Sequence, residues 1–224
     1  ARLLGANTAI NKIRFVPGLH FNGSVGITFR AWDQATGTNG STADISGGGA
    51  TGGITAYSTA TQTGTIAVAA VNDAPVLANV EGDVQVYHMG DPATVITATL
   101  TASDVDDANL EGATVQITVN LANTEDVLAF VDQLGITGSF NAGAGLMTLT
   151  GTSSVANYQV ALRSVTYENT DTVNPSSETR RVTFTITDGQ LSASAARITD
   201  VDDTNRENDA PVLDNSGTMS LTGI

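Results

Sequence analysis

The sequence contains no cysteine, one lysine and two histidines, His20 and His88. The absence of cysteine excludes disulfides, thiolate metal sites and cysteine nucleophiles. With so few histidines, zinc sites and Ser-His-Asp triads have few residues to draw on. An extracellular protein without disulfides needs another means of stabilisation, and a hard cation such as calcium is one.

Basic residues are also scarce, because nine Lys and Arg stand against 23 Asp and Glu, giving a formal net charge of −14. This balance excludes binding to nucleic acid through phosphate neutralisation and favours the attraction of cations. No apolar run reaches the length of a membrane span, so no span is predicted in this segment. Aromatic residues make up 5% of the chain. Paired carboxylates in an aromatic-rich cleft are therefore not indicated, and we expect no enzyme.

The residues that are abundant favour β-structure, because Thr, Ser, Gly, Ala, Val and Asn dominate and short alternating segments are separated by Gly and Asn turns. In the central part of the chain, strands are predicted at 84–86, 95–102, 114–119, 128–131, 136–140, 146–149, 165–167, 181–187 and 191–199. One helical pattern spans 153–162, with Val155, Tyr158 and Leu162 on one face and Ser153 or Ser154 as N-cap. The pattern predicts an all-β, antiparallel sandwich with one short helix.

An internal repeat divides the chain. The hexamer Asn-Asp-Ala-Pro-Val-Leu at 72–77 returns unchanged at 208–213, 136 residues later. Proline stiffens each copy, while Asn and Asp supply turn-forming side chains with oxygen ligands, so each copy is interpreted as a hinge between β-domains. Residues 1–72 are predicted to be the C-terminal part of a repeat, 73–208 a complete repeat, and 209–224 the start of the next.

Two further matches support this division. Residues 26–33 match 181–188 at an offset of 155, and both of these segments alternate apolar and polar residues as strands do. Residues 9–15 match 161–167 in their apolar positions at an offset of 152. A Gly/Thr/Ser-rich insertion at 34–60 is either a long hairpin or a mobile loop. The chain is interpreted as a window of a longer protein, whose terminal pieces need their missing halves or neighbouring chains for stability.

Acidic residues cluster at the predicted domain ends, at Asp73, in Asp104-Val105-Asp106-Asp107, at Asp188 and throughout 200–209. Calcium takes six to eight oxygen ligands, and the alternate side chains of Asp104 and Asp106 can converge on one ion. The competing interpretation is that these are solvated turn residues. An EF-hand is excluded, because Val115 stands where the bidentate Glu belongs.

Four features follow one another along the chain: the Asn-Asp-Ala-Pro hinge, Glu81, Asp104-x-Asp106 and Asp188-Gly189. This set resembles the cadherin-like repeats of large bacterial surface adhesins. The resemblance implies tandem Greek-key β-sandwiches, similar to cadherin and immunoglobulin domains, with calcium at their junctions. It implies a first junction built from Asn72, Asp73, Asp104, Asp106 and Asp188. It implies a second junction built from Glu81, Asp203, Asn205, Asn208 and Asp209. Glu168 is a further candidate ligand on positional grounds alone.

The sequence departs from this family in two respects. The repeat is longer than the usual cadherin domain, and the first hinge lacks the upstream Asp, since Ala70-Val71 precede Asn72. We therefore expect the second hinge, which lies in an acid-rich run, to hold calcium more firmly.

The expected function is a non-catalytic, structural or adhesive protein outside the cell or on a bacterial cell surface, forming an adhesin stalk or a surface-layer, sheath or filament assembly. Its partners would be neighbouring repeats and copies of itself. The alternative is a glycan-binding or protein-binding module appended to a larger secreted protein or enzyme, with residues 34–60 as the contact loop for a glycan or a cell-surface protein.

Overall fold

The computed structural model describes residues 1–5 and 11–202. The predicted ligands Asp203, Asn205, Asn208 and Asp209, and the predicted next repeat at 209–224, lie outside the described residues. The chain divides into two compact units, Ala1–Val71 and Asn72–Ile224.

The first unit is built on an antiparallel hairpin of β1 (Gly23–Trp32) and β2 (Tyr57–Val68). The predicted insertion is mainly the loop 33–56 between these strands. The N-terminal segment holds this loop, because the ammonium group of Ala1 donates to the Ala43 carbonyl at 2.6 Å and Leu3 is buried. The insertion is thus a loop with tertiary contacts, and its last residues belong to β2.

The second unit contains eleven strands and one α-helix in its described part. The strands are β3 (Val76–Ala78), β4 (Gln85–His88), β5 (Thr94–Val95), β6 (Thr101–Ser103), β7 (Asn109–Val119), β8 (Asp126–Ala129), β9 (Thr137–Asn141), β10 (Leu146–Ser154), β11 (Thr166–Asn169), β12 (Arg180–Thr187) and β13 (Ser192–Asp202). A 3₁₀ turn spans Ala142–Ala144, and α1 spans Val155–Arg163.

One sheet has six strands in the order β4-β13-β12-β7-β10-β9. Strand β4 pairs with β13 in parallel, and all other neighbouring strands in this sheet are antiparallel. A second layer contains the three-stranded sheet β5-β11-β8 and the pair β3-β6. The core between the layers includes Val115, Phe184 and Leu149 from the large sheet and Tyr167 and Leu162 from the opposite side, all fully buried. This architecture confirms the predicted all-β sandwich with a single short helix.

The helix α1 begins as its sequence predicts. The hydroxyl of Ser154 accepts from the Asn157 amide, which makes Ser154 the N-cap. Tyr158 and Leu162 are buried on one face, and the Tyr158 hydroxyl donates to the Gly151 carbonyl at 2.6 Å. Gly151 has a φ of +123°, and a Cβ there would lie 2.3 Å from the Gly135 carbonyl oxygen, so only glycine fits this close approach.

The predicted strand at 95–102 is wrong in its middle, since β5 ends at Val95 and β6 begins at Thr101. The reason is the carboxylate of Glu81, which accepts from the amides of Ala98 at 2.8 Å and Thr99 at 3.1 Å. Because these two amides donate to a side chain, they are not available to a neighbouring strand, and the hydrogen bonding between strands is interrupted here.

The match between residues 9–15 and 161–167 does not extend to secondary structure in the described residues 11–15. Residues 11–15 match the segment that leads into β11, yet they form no strand. In the second unit β11 is held between β5 and β8, and the described part of the first unit contains no such flanking strands. The pattern is present, but its hydrogen-bonding partners are not.

Candidate metal centre

Three carboxylates converge at one end of the second unit. One oxygen each from Asp104, Asp107 and Asp188 lies within 4.8 Å of the other two. The loop between β6 and β7 carries Asp104 and Asp107, and Asp188 follows β12. The sheet brings these loops together, because the end of β12 pairs with the start of β7, with Thr187 opposite Gly112.

Asp104 organises its own loop and leaves one oxygen without a partner. Its Oδ1 accepts from the backbone amides of Asp106 and Asp107, both at 3.1 Å. Its Oδ2 is buried and has no hydrogen-bond partner. A buried, unpaired carboxylate oxygen is costly, because it has lost its water without gaining a donor or a cation in return.

Asp188 is the best satisfied member of the trio and is 9% exposed. Its Oδ1 accepts from the amides of Leu191 at 2.7 Å and Gln190 at 2.6 Å, and its Oδ2 accepts from Asn72 Nδ2 at 2.9 Å. The amide of Leu191, followed by the Asn72 side chain, lowers the pKa of Asp188. Asp188 therefore remains ionised at neutral pH.

Asp107 experiences the opposite environment. Loss of hydration raises the pKa of Asp107, and repulsion from Asp106, Asp104 and Asp188 raises it further. No salt bridge joins this trio to a basic side chain in the described part of the chain. The negative charge at the cluster is therefore not compensated by the described basic residues.

The hinge residues connect to this cluster by hydrogen bonds. Asn72 Nδ2 donates to the Asp73 carbonyl at 3.0 Å as well as to Asp188, while Asn72 Oδ1 accepts from Gln190 Nε2 at 2.8 Å. The Asp73 amide donates to the Asp106 carboxylate at 3.1 Å. The five residues predicted for the first junction thus lie in connected loops, and their role as metal ligands stays a prediction. Asp107 was missed, although its position beside Asp106 was the available signal.

Glu81 lies outside the acidic trio, and its carboxylate holds the segment between β5 and β6 by hydrogen bonds. Burial opposes its ionisation, but donors from Thr97, Ala98 and Thr99 outweigh burial and lower the pKa of Glu81 to about 2. Arg197 Nη1 lies 3.7 Å from its Oε2. Metal binding by Glu81 stays a prediction, because its proposed partners begin at Asp203. Glu168 is not a member of the trio, and its charge acts on Tyr87.

A buried ion pair between Arg180 and Asp126 is a further feature that no sequence pattern indicated. Arg180 Nε lies 3.1 Å from Asp126 Oδ2, and both side chains are fully buried. Asp126 additionally accepts from the Ala122 amide and the Tyr167 hydroxyl. Because the Asp126 carboxylate is already bonded to these donors, we interpret it as stabilising the fold and not as a metal ligand.

Comparisons with known proteins give a short stretch of similarity. No protein-family model matches the chain, so membership of a cadherin-like family stays a prediction. Over 108 residues, 46% of this chain, the sequence is 32% identical to Halomucin from Haloquadratum walsbyi. The match spans 1% of the length of Halomucin, which is a far longer protein.

This similarity agrees with the predicted extracellular or cell-surface location. Among the described residues, no helix has the length and apolar character needed to cross a membrane.

Proposed function

We propose that this chain is a non-catalytic structural segment of a cell-surface protein, and that calcium bound by Asp104, Asp107 and Asp188 fixes the acidic end of its second unit. The observation that carries this proposal is the buried, unpartnered Oδ2 of Asp104 beside two further carboxylates. A cation would supply the missing partner of Asp104, and it would offset both the loss of hydration and the repulsion that raise the pKa of Asp107.

The ligand chemistry favours a hard cation. All three side chains offer oxygen, and the chain has no cysteine to select a soft metal. Calcium binds oxygens at about 2.3–2.6 Å, so ligands on opposite sides of one ion stand about 5 Å apart. The separations of up to 4.8 Å within the trio are compatible with that geometry. Asp106 and the side chain of Asn72 offer further oxygens in the adjoining loops.

The consequence for the chain concerns the hinge. Asn72 is the first residue of the second unit and already contacts Asp188. Calcium would lock the loops on which the hinge rests, and so restrain the Asn-Asp-Ala-Pro segment that follows the first unit. Repeated in tandem, such hinges would stiffen a stalk or a surface assembly, with neighbouring repeats or copies of the chain as partners. The similarity to the very long Halomucin supports a role as one segment of an extended surface polypeptide.

Thermal unfolding with calcium and with chelator tests the proposal. We expect calcium to raise the Tm of the chain, and Asp104→Asn to remove most of that increase, because the unpartnered carboxylate loses its charge. Asp83→Asn is the matched control, since it makes the same charge change at an exposed acid outside the trio. A calcium-induced increase that is equal in all three proteins would refute a site at the trio and indicate diffuse charge screening.

A further inference from the structure

The acceptor pattern for N-linked glycans is Asn-x-Ser or Asn-x-Thr, with x other than proline, and it occurs twice in the sequence. Both copies, Asn22-Gly23-Ser24 and Asn39-Gly40-Ser41, belong to the first unit, and all six residues are exposed. A third triplet, Asn174-Pro175-Ser176, is excluded by its proline. Pattern and exposure do not distinguish the two copies, so the distinction depends on their hydrogen bonds.

The copy at Asn39 is tied into the folded loop through both of its defining side chains. Asn39 Oδ1 accepts from the Gly5 amide at 2.9 Å, and Asn39 Nδ2 donates to Asn11 Oδ1 at 3.0 Å. The Ser41 hydroxyl donates to the Thr38 carbonyl at 2.6 Å. The amide nitrogen that would accept a sugar and the hydroxyl that the pattern requires are therefore both engaged.

The backbone of this copy is held as well. The Leu3 amide donates to the Ser41 carbonyl at 2.9 Å, and the Gly40 amide donates to the Leu3 carbonyl at 2.8 Å. Leu3 is 4% exposed. Releasing the triplet into a transferase therefore requires that a buried apolar side chain lose its contacts.

The side chains of the copy at Asn22 have no such restraint. Among the described residues, no hydrogen bond involves the side chain of Asn22 or that of Ser24. A Cβ placed on Gly23 would meet no atom within 4 Å beyond its chain neighbours, so the space beside Asn22 is open. The preceding residue is fixed, because the ring of Phe21 packs edge-on against Phe15 with centroids 5.6 Å apart. Asn22 is thus presented at a defined and accessible position.

Release of the backbone also costs less at Asn22. Gly23 and Ser24 are the first residues of β1 and pair with Val68 and Ala67 at the end of the hairpin. Terminal pairs open locally at a small fraction of the free energy of global unfolding. None of these four residues is buried, so their opening frees the triplet as an extended segment without displacing a core side chain.

We propose that Asn22 is an N-glycosylation site of the folded chain and that Asn39 is not modified. In the reaction, Nδ2 of Asn22 forms a bond to the anomeric carbon of an oligosaccharide that is linked to a lipid phosphate. The bond between that carbon and the phosphate oxygen breaks, and the lipid phosphate leaves with the electron pair. The amide proton passes to a base of the transferase. The co-substrate is thus a lipid-linked oligosaccharide, and the product is a glycan beside the first pair of the β1–β2 hairpin.

The site agrees with the location of the protein. N-linked glycans are bulky, solubilising groups on the surface loops of secreted proteins. The similarity to Halomucin agrees with an extracellular or cell-surface location. The proposal is independent of calcium binding, because Asn22 belongs to the first unit and the acidic trio belongs to the second.

Glycosylation of the purified, folded chain in vitro tests the proposal. The probe is a lipid-linked oligosaccharide with an oligosaccharyltransferase that modifies the isolated peptides 17–29 and 34–46 at similar rates. Each peptide contains one acceptor triplet without its folded contacts. In the folded chain we expect modification of Asn22 to be at least about tenfold faster than that of Asn39, because only the Asn39 triplet must break tertiary contacts. Intact mass and peptide mapping measure both rates.

Variants identify the acceptor. Asn22→Gln should abolish the increase in mass of the folded chain, whereas Asn39→Gln is the matched control and should leave it unchanged. Ser24→Ala should also abolish it, because the triplet loses its hydroxyl. Asn22 and Ser24 are exposed, so both variants should fold, which circular dichroism checks. The proposal is overturned if the folded chain acquires no glycan at Asn22, if Asn39 is modified as fast as Asn22, or if Asn22→Gln is still modified.

Discussion

At the scale of a single side chain, the stability of Asp107 variants tests whether Asp107 binds a cation or is an ordinary loop residue. Since the folded state raises the pKa of Asp107, its ionised form favours unfolding at neutral pH. We therefore predict that Asp107→Asn raises the Tm in chelator and reduces the increase that calcium produces. Calorimetry with and without calcium measures both effects, and Asp83→Asn serves again as the control.

A lower Tm of Asp107→Asn in chelator would contradict this prediction. It would mean that the Asp107 carboxylate stabilises the loop through protein contacts, and that no cation is needed to explain its position.

Glu81 provides a pH-dependent prediction. Its folded-state pKa of about 2 lies below the ordinary value of 4.5, so its stabilising contribution is fully present above about 4.5 and is lost as the pH falls through about 2. Glu81→Gln should cost about 1–3 kcal/mol in the free energy of unfolding at pH 7, because it removes charge-assisted hydrogen bonds to the Ala98 and Thr99 amides.

Urea unfolding as a function of pH measures this effect. The wild type should lose more stability than Glu81→Gln between about pH 4.5 and pH 2. If the two proteins show parallel pH profiles, Glu81 is not the group responsible.

Residue types and spacing, through the family resemblance that they carry, selected Asn72, Asp104 and Asp188 for one junction, and the structure brings these residues into one region. They were insufficient for Asp107, whose side chain joins Asp188 only after the loop turns back on the Asp104 carboxylate. They were also insufficient for Arg180 and Asp126, which lie 54 residues apart and meet only in the folded core.

At the scale of elements, the Arg180–Asp126 pair joins β12 to the start of β8 and to the loop before it. We predict that Arg180→Met destabilises the chain by about 3–5 kcal/mol, because it leaves the Asp126 carboxylate buried without its counter-charge. Adding Asp126→Asn should recover part of this loss, since the double variant buries no unpaired charge.

Urea unfolding of the two single variants and the double variant forms a closed cycle. Additive losses would contradict the prediction, because they would indicate two independent packing defects.

Strand prediction was accurate for β12, where alternation agreed with tertiary pairing. It located β7 and β10, but β7 begins at Asn109 and β10 ends at Ser154, each five residues beyond the predicted bound. It failed at 95–102, where the Glu81 carboxylate captures backbone amides that a strand would use. Residues 11–15 match the segment that leads into β11 but form no strand, because a strand also needs neighbours, and the pattern within one segment carries no information about whether the neighbours are present.

At the scale of the whole molecule, charge is divided unevenly between the two units. The first unit has four basic and two acidic residues, whereas the second has five basic and 21 acidic residues. Self-repulsion is thus concentrated in the second unit, where the acidic trio lies.

We predict that calcium stabilises the second unit selectively. Tyr87, Tyr158 and Tyr167 lie in the core of the second unit, whereas Trp32 belongs to the first. Calcium should raise the unfolding midpoint detected by tyrosine near-ultraviolet circular dichroism more than the midpoint detected by Trp32 fluorescence. Equal shifts of both midpoints would contradict selective binding.

The most direct test of the calcium proposal is a crystal structure of the chain grown with calcium, using the anomalous signal to locate the ion. The proposal predicts a calcium peak among Asp104, Asp107 and Asp188, with carboxylate oxygens, including Asp104 Oδ2, at about 2.3–2.6 Å. A well-ordered trio without a peak, at calcium concentrations that raise the Tm, would contradict it.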